Sequence, residues 1–248
     1  MSIVFTKMSG SGNDFIIIDN RESIIKDSAK RDFVSKVCVP KLSVGADGVI
    51  FVENSKKVDF KWDFYNDDGS SAEMCGNGGR CVARYAYEKN IASERMSFET
   101  IAGIVFAEVK ENHVRIKLTP PKNLQTNVNI KLNGIKFKVD SLYTGVPHAV
   151  IYTEDIANED VCGIGQGIRE HSAYAPEGTN VDFVQRQGEN KLRIRTYERG
   201  VEGETLACGT GVVASALLAS RLGLVKPPVF VETQGGEVLT VDFKMTDG

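Results

Sequence analysis

Short runs of β-branched and aromatic residues, each bounded by glycine, asparagine or aspartate, recur along the chain at strand length. In the first half, FIIID (15–19), GVIFV (48–52) and VDFKWDFYN (58–66) predict strands. IVFAEVKENHVRIKL (104–118) predicts a hairpin that turns at Glu111 and Asn112. The second half follows the same logic with AVIYT (149–153), VDFVQR (181–186), KLRIRTYE (191–198) and VLTVDFK (238–244). Helical periodicity is confined to two stretches. RCVARYAYEKN (80–90) is apolar at 81, 82, 85 and 86 and stops at Asn90. GVVASALLASRLG (211–223) is apolar or small around its whole circumference until Arg221, with Gly223 placed as a C-cap. A helix that is apolar on every face belongs in an interior, and a mostly antiparallel sheet wrapped around it would supply one. TPPKNLQTN (119–127), polar and proline-bearing, reads as a linker.

Sliding the chain against itself reveals a duplication. Cys75 and Cys208, Gly76 and Gly209, Gly78 and Gly211, and Ala83 and Ala216 all stand 133 residues apart. The same offset carries ETIAGIV (99–105) onto ETQGGEV (232–238) and GAD (45–47) onto GTN (178–180). A period this long implies a duplicated domain, not a solenoid. The predicted class is α/β in the broad sense and α+β in detail, with two homologous pseudo-twofold domains over residues 1–118 and 119–248. The last segment is free to pack back on the first domain. The second copy stops at FKMTDG (243–248), where the first continues into HVRIKL (113–118), so the terminal strand that the duplication leads one to expect is missing from the second copy.

Composition narrows the function. With 248 residues, 42% hydrophobic and 25% charged, the chain suits a globular protein with a sizeable core. A net charge of −3 without a basic block argues against nucleic acid and anionic membranes as partners. No apolar stretch reaches membrane-spanning length, and the N-terminus lacks the apolar core of a signal peptide. Five irregularly spaced cysteines argue against a disulfide framework and for a reducing, cytoplasmic setting. Cys38, Cys81 and Cys162 read as small buried hydrophobes. Cys75 and Cys208 differ, because each opens a Cys-Gly-x-Gly unit that precedes a helix. Unpaired helical amides and the positive end of the helix dipole lower a thiol pKa from about 8.5 toward neutrality. The glycines also let a carboxylate approach bare amides. A duplicated fold would set the two thiols on opposite sides of one carbon, the geometry for removing a proton from one face and returning one to the other. A zinc site fits poorly, since only CGNGGRC approaches the ligand spacing, and no CxxC redox pair is present. GSGND (10–14) leads into a strand, so it is not a dinucleotide loop.

Taken together, SGSGNDFIIID, FYNDDGSSAEMCGNGGRC, YERGVEGETLACGTG and ETQGGEV resemble the diaminopimelate epimerase family, in order and over nearly the whole chain. The resemblance implies two similar domains, each a β-barrel around a central helix. It implies interconversion of LL- and meso-diaminopimelate in lysine and cell-wall precursor biosynthesis, with no cofactor and no metal. Cys75 and Cys208 would be thiolate base and thiol acid, exchanging roles with direction. The amides of Gly76 and Asn77, and of Gly209 and Thr210, would hold the carboxylate at the reacting carbon. Asn13, Asn66, Asn180 and Arg199 would grip the rest of the substrate, with Glu198 and His148 as polar groups beside the cysteines. Val146 stands where many members have asparagine, so one substrate hydrogen bond is missing or supplied elsewhere. The expected partner is the small-molecule substrate, with a homodimer left open. A two-thiol racemase of another amino acid, a non-catalytic binding domain and a thiol redox switch remain the competing readings.

Overall fold

The computed structural model describes residues 2–118 and 120–244. It divides into two compact units, Met1–Leu118 and Thr119–Gly248. The first contains β1 (Thr6–Gly10), β2 (Asn13–Asp19), α1 (Asp27–Val37), β3 (Gly48–Glu53), β4 (Phe60–Asn66), α2 (Gly76–Glu88), β5 (Arg95–Thr100), β6 (Gly103–Lys110) and β7 (His113–Lys117). Its seven strands form one sheet in sequence order. The β2–β3 and β4–β5 pairs are parallel and the others antiparallel. Helix α2 touches β1, β2 and β3 near one edge and β6 and β7 at the other. One helix can reach both edges only if the sheet curls into a half-barrel around it. Phe15, Ile17, Ile50, Phe60, Trp62 and Phe98 line the concave face and pack on Val82, Ala83 and Ala86 of α2. On the convex face Ile16, Ile18, Val49 and Phe51 meet Val34 of α1. Coverage on both faces explains why FIIID and GVIFV are continuously apolar instead of alternating.

The second unit contains β8 (Lys122–Leu132), β9 (Ile135–Tyr143), β10 (Pro147–Tyr152), α3 (Val161–Arg169), β11 (Asn180–Arg186), β12 (Lys191–Glu198), β13 (Gly203–Thr205), α4 (Gly209–Arg221), β14 (Val229–Glu232) and β15 (Val238–Val241). The sheet order is β15-β14-β12-β11-β10-β9-β8, with β13 added to β12. From β9 onward the pairings repeat those of the first unit, including the parallel pairs β10–β11 and β12–β14. Helices α2 and α4 are each 13 residues long. The pairing of Phe15 with Gly48 has its counterpart in His148 with Asn180, one residue closer in sequence. Even the short β13 is foreshadowed, by an isolated bridge between Tyr65 and Ser71. The class is α+β, with two mixed, mostly antiparallel curled sheets.

Several expectations need correction. The segment read as a linker is structured from Lys122 onward as β8, paired to β9 across two register irregularities that accommodate its polar residues. Helix α3 escaped notice because its sequence, VCGIGQGIR, is rich in a poor helix former. There the glycines serve close packing: a Cβ on Gly165 would lie 2.5 Å from the Cβ of Tyr197. Helix α1 buries only Lys30 and Val34, too few positions to show a period. Cys162 is exposed, not buried. Strand β15 pairs within the second unit's own sheet; the reading that the second copy lacks a last strand falls on residues beyond Lys244, which lie outside the described residues.

Lys30 explains how α1 is held. Its side chain is 1% exposed, and Nζ contacts Asp27 at 2.7 Å, Glu53 at 2.6 Å and Asp63 at 2.8 Å, with the Phe51 ring centroid 5.1 Å away. Burial disfavours its charge, but the three carboxylates outweigh that and raise its pKa above the ordinary lysine value. These acids are the one cluster of potential metal ligands among the described residues, and the chain's own ammonium sits among them. Lys30→Met should therefore destabilise the protein by about 3–5 kcal/mol, because Glu53 and Asp63 would keep their charge without its partner. Urea unfolding measures this; a loss under about 1 kcal/mol would show that water replaces the ammonium.

Candidate active site

In the first unit Cys75 is the N-cap of α2, extended at φ −138° and ψ 123°, and its Sγ accepts from the Gly78 amide at 3.5 Å. The first intrahelical bond runs from the Gly79 amide to the Cys75 carbonyl, so Gly76 and Asn77 sit in the turn whose amides precede the helical ladder. The glycines thus belong to the helix's first turn and do not precede it, as the sequence had suggested. Gly76, Asn77, Gly78 and Gly79 are all buried.

The Asn77 side chain donates to Asn13 Oδ1 at 2.8 Å and accepts from Arg80 at 2.8 Å, while Arg80 also reaches Ser11 Oγ at 2.6 Å. Asn13 in turn donates to Asp47 at 3.2 Å. The structure therefore joins Asn13 to the cysteine turn through Asn77, fixing both amides. Asn66 ends β4, opposite Gly48, and its side chain donates to Ser70 Oγ at 3.0 Å.

In the second unit Cys208 is the N-cap of α4 and is 7% exposed. Its Sγ lies 3.5 Å from Thr210 Oγ1. Thr210 Oγ1 is 2.9 Å from Nε2 of His148, whose Nδ1 is 2.7 Å from Asp182 Oδ2. Asp182 is fully buried, and its other oxygen accepts from Thr196 at 2.7 Å. Asn180 donates to the Pro147 carbonyl at 3.0 Å and accepts from the Arg199 amide at 2.9 Å. The Arg199 guanidinium donates to the Glu177 carbonyl at 3.2 Å. Glu198 accepts from Thr205 at 2.9 Å. Hydrogen bonds thus join His148 through Thr210 to Cys208 at the N-terminus of α4, and join Arg199 to Asn180, the strand neighbour of His148. The carbonyl of Val146 accepts from the Thr144 amide at 3.1 Å, closing the turn that leads into β10.

The electrostatics of this half differ from expectation. Burial, then the carboxylates of Glu198 and Asp182, push the Cys208 thiol well above the ordinary thiol range, with the Thr210 hydroxyl and the Gly211 amide pulling the other way. The helix end does not win against desolvation. Burial also raises Glu198 above the usual carboxylate range, opposed by the Thr205 hydroxyl and by His148.

Asp182 and Thr196 were missed by sequence reasoning. The available signal was an acid in the otherwise apolar core of VDFVQR, a position that a buried strand fills only with a paired charge. The repeat supplies the comparison. By strand register His148, Asp182 and Thr196 take the places of Phe15, Ile50 and Phe64, which form an apolar cluster with Phe15 and Phe64 edge to face.

Two curled sheets, each cupping a helix, form a fold seen in solved structures. A hydroxyproline epimerase from Agrobacterium vitis, solved with trans-4-hydroxy-L-proline, aligns with a TM-score of 0.70 at 15% identity, over 96% of this chain and 83% of that one. A phenazine biosynthesis protein of the PhzF family from Bacillus anthracis aligns with a TM-score of 0.71 at 14% identity, over 96% and 87%. At these identities the likeness concerns the fold. Sequence decides the family. The diaminopimelate epimerase family model matches residues 5–124 and 141–246. The diaminopimelate epimerase of Aquifex aeolicus is 49% identical over 96% of this chain and 89% of its own length, and that of Archaeoglobus fulgidus 44% over 95% and 88%. The chain belongs to the diaminopimelate epimerase family.

The raised Cys208 thiol has a measurable consequence. In the folded protein without substrate, iodoacetamide should alkylate Cys208 slowly at pH 8.5, where an ordinary thiol is about half ionised, and faster only at higher pH, as peptide mapping by mass spectrometry would show. The same group makes the fold less stable as pH climbs past about 8.5, because the unfolded thiol releases its proton while the folded one keeps it. Rapid Cys208 alkylation at pH 7 would refute this.

Proposed function

We propose that the chain interconverts LL- and meso-diaminopimelate without a cofactor, by moving a Cα proton between Cys75 and Cys208. The observation that carries this reading is the doubled N-cap: both repeats end a strand-bounded turn on a cysteine followed by a glycine-bearing helix start. That arrangement offers a proton-carrying thiol beside amides that hold negative charge. Cys75 takes the proton from one face of Cα, and Cys208 gives its proton to the other. The configuration inverts, one C–H bond breaks and one forms, and the two sulfurs exchange protonation. The Gly76, Asn77, Gly209 and Thr210 amides receive the carboxylate at the reacting carbon. Asn13, Asn66, Asn180 and Arg199 hold the remainder of the substrate, and the guanidinium fork suits its distal carboxylate. His148 and Glu198 tune Cys208. The pathway is lysine and cell-wall precursor biosynthesis in the cytoplasm; among the described residues no helix is long and apolar enough to cross a membrane.

Two experiments test the proposal. In deuterium oxide the protein should exchange the Cα proton of LL-diaminopimelate, read by NMR and chiral chromatography. Exclusive exchange into another amino acid from a panel of L-isomers would replace the substrate and favour a racemase. Cys75→Ala and Cys208→Ala should each lower epimerisation by at least about 10²-fold, the scale of acid–base catalysis by one positioned group. Each Cys→Ser variant should bind substrate but epimerise poorly, since a hydroxyl is a far weaker base near neutral pH. Near wild-type rates in both alanine variants would leave the glycine turns as binding elements only.

A further inference from the structure

The hydrogen bonds behind Cys208 have a direction. Asp182 is a carboxylate between two donors, the Thr196 hydroxyl and His148 Nδ1, so a neutral His148 carries its proton on Nδ1. Nε2 then has only a lone pair, and the Thr210 hydroxyl must donate to it at 2.9 Å. With its proton committed, Thr210 Oγ1 presents lone pairs to the Cys208 thiol at 3.5 Å. The row from Cys208 through Thr210 and His148 to Asp182 is therefore fully oriented, each donor meeting one acceptor. The backbone fixes Thr210 in this position, since its carbonyl accepts from the buried Thr144 hydroxyl at 3.0 Å. Its Cγ2 would lie 4.0 Å from a Cβ on Gly145.

We infer that the Thr210 side chain is a positioning residue, the hydroxyl through which Cys208 exchanges its proton with the His148–Asp182 pair. This rests on the reading of Cys208 as a proton carrier. In the step, the Cys208 S–H bond breaks as an O–H bond forms at Thr210, whose own proton passes to His148 Nε2. The products are a thiolate and an imidazolium paired with Asp182, and no proton is gained or lost. Run backward, the same step restores the Cys208 thiol and the neutral imidazole, so the row sets how readily this sulfur exists as thiol or as thiolate.

The first repeat cannot build such a row, because Phe15 and Ile50 stand where His148 and Asp182 would be needed. Its residue at the helix position of Thr210 is Asn77, which turns to Asn13 and Arg80. A Cβ on Gly78 would meet Ile50 and Phe15, whereas one on Gly211 would fall 2.4 Å from Asp182 Oδ1. The charged or titratable groups facing Cys208 are Glu198 from β12, Asp182 from β11 and His148 from β10.

The test uses the reduced full chain with Thr210→Val, which keeps the shape and removes the hydroxyl, and Thr210→Ser, which keeps the hydroxyl. Thr210→Ala is the second deletion variant should valine disturb packing, and circular dichroism checks the fold of each. Thr210→Val should lower kcat by roughly 10- to 100-fold with KM within about twofold, a share of the 10²–10⁴ typical of acid–base groups. The shape of its pH–rate profile should change as well. Thr210→Ser should recover to within about threefold of wild type. Alkylation of Cys208 without substrate gives a readout independent of turnover: its pH dependence should move to higher pH in Thr210→Val and return in Thr210→Ser. If the alkylation shift appears but no diaminopimelate is turned over, the relay stands and the proposed substrate falls. Unchanged rate and pH profiles in Thr210→Val, or equal impairment in Thr210→Val and Thr210→Ser, would overturn the inference.

Discussion

The site depends on burying the first turn of a helix inside a curled sheet. A helix start carries amides with no partner in their own ladder, and hiding them is costly unless something takes their place. Here the cap is a cysteine and the next positions are mostly glycine, so the strands can close on the turn. A Cβ on Gly48 would stand 2.6 Å from the Tyr65 carbonyl, and one on Gly10 2.7 Å from the Cys81 sulfur. Glycine costs a helix about 0.8–1 kcal/mol per residue. Full burial of Val212 and Leu218 in α4 returns about 1.5–3 kcal/mol each, so the packed face sustains an intrinsically poor helix start.

Burial then sets the chemistry. Helix dipoles act over one turn and contribute about 0.3–2 kcal/mol, whereas desolvation of a buried thiolate beside two carboxylates opposes ionisation more strongly. Cys208 is therefore a proton holder in the resting protein. A group that holds its proton firmly is present in its acid form near neutral pH, but it gives that proton up only where the thiolate left behind is stabilised.

Much of this was legible in the chain. The strand runs, both central helices and the 133-residue offset were visible because sheet cores need β-branched residues and because duplication repeats glycines at positions where side chains clash. Helices α1 and α3 were not, since one uses a buried lysine as its anchor and the other uses glycines to approach Tyr197. The two cysteines were legible from their doubled context. The polar row behind Cys208 was not, because it runs through Asp182 and Thr196, which lie beside His148 and Thr210 only after β10, β11, β12 and α4 assemble. The polar segment from Lys122 read as a linker because β8 is exposed along most of its length.

The duplication also shows what the buried polar row is for. A carboxylate in an interior is weak evidence for stability, because apolar residues of similar volume usually serve as well or better. The first repeat demonstrates the point within the same chain: Phe15, Ile50 and Phe64 fill the register positions of His148, Asp182 and Thr196, and the sheet, the helix and the cysteine cap form regardless. The fold therefore does not require the histidine–aspartate pair. Its presence behind the Cys208 cap ties it to the proton environment of that sulfur. The row from Asp182 to Cys208 is chemistry added to a fold that was already complete without it.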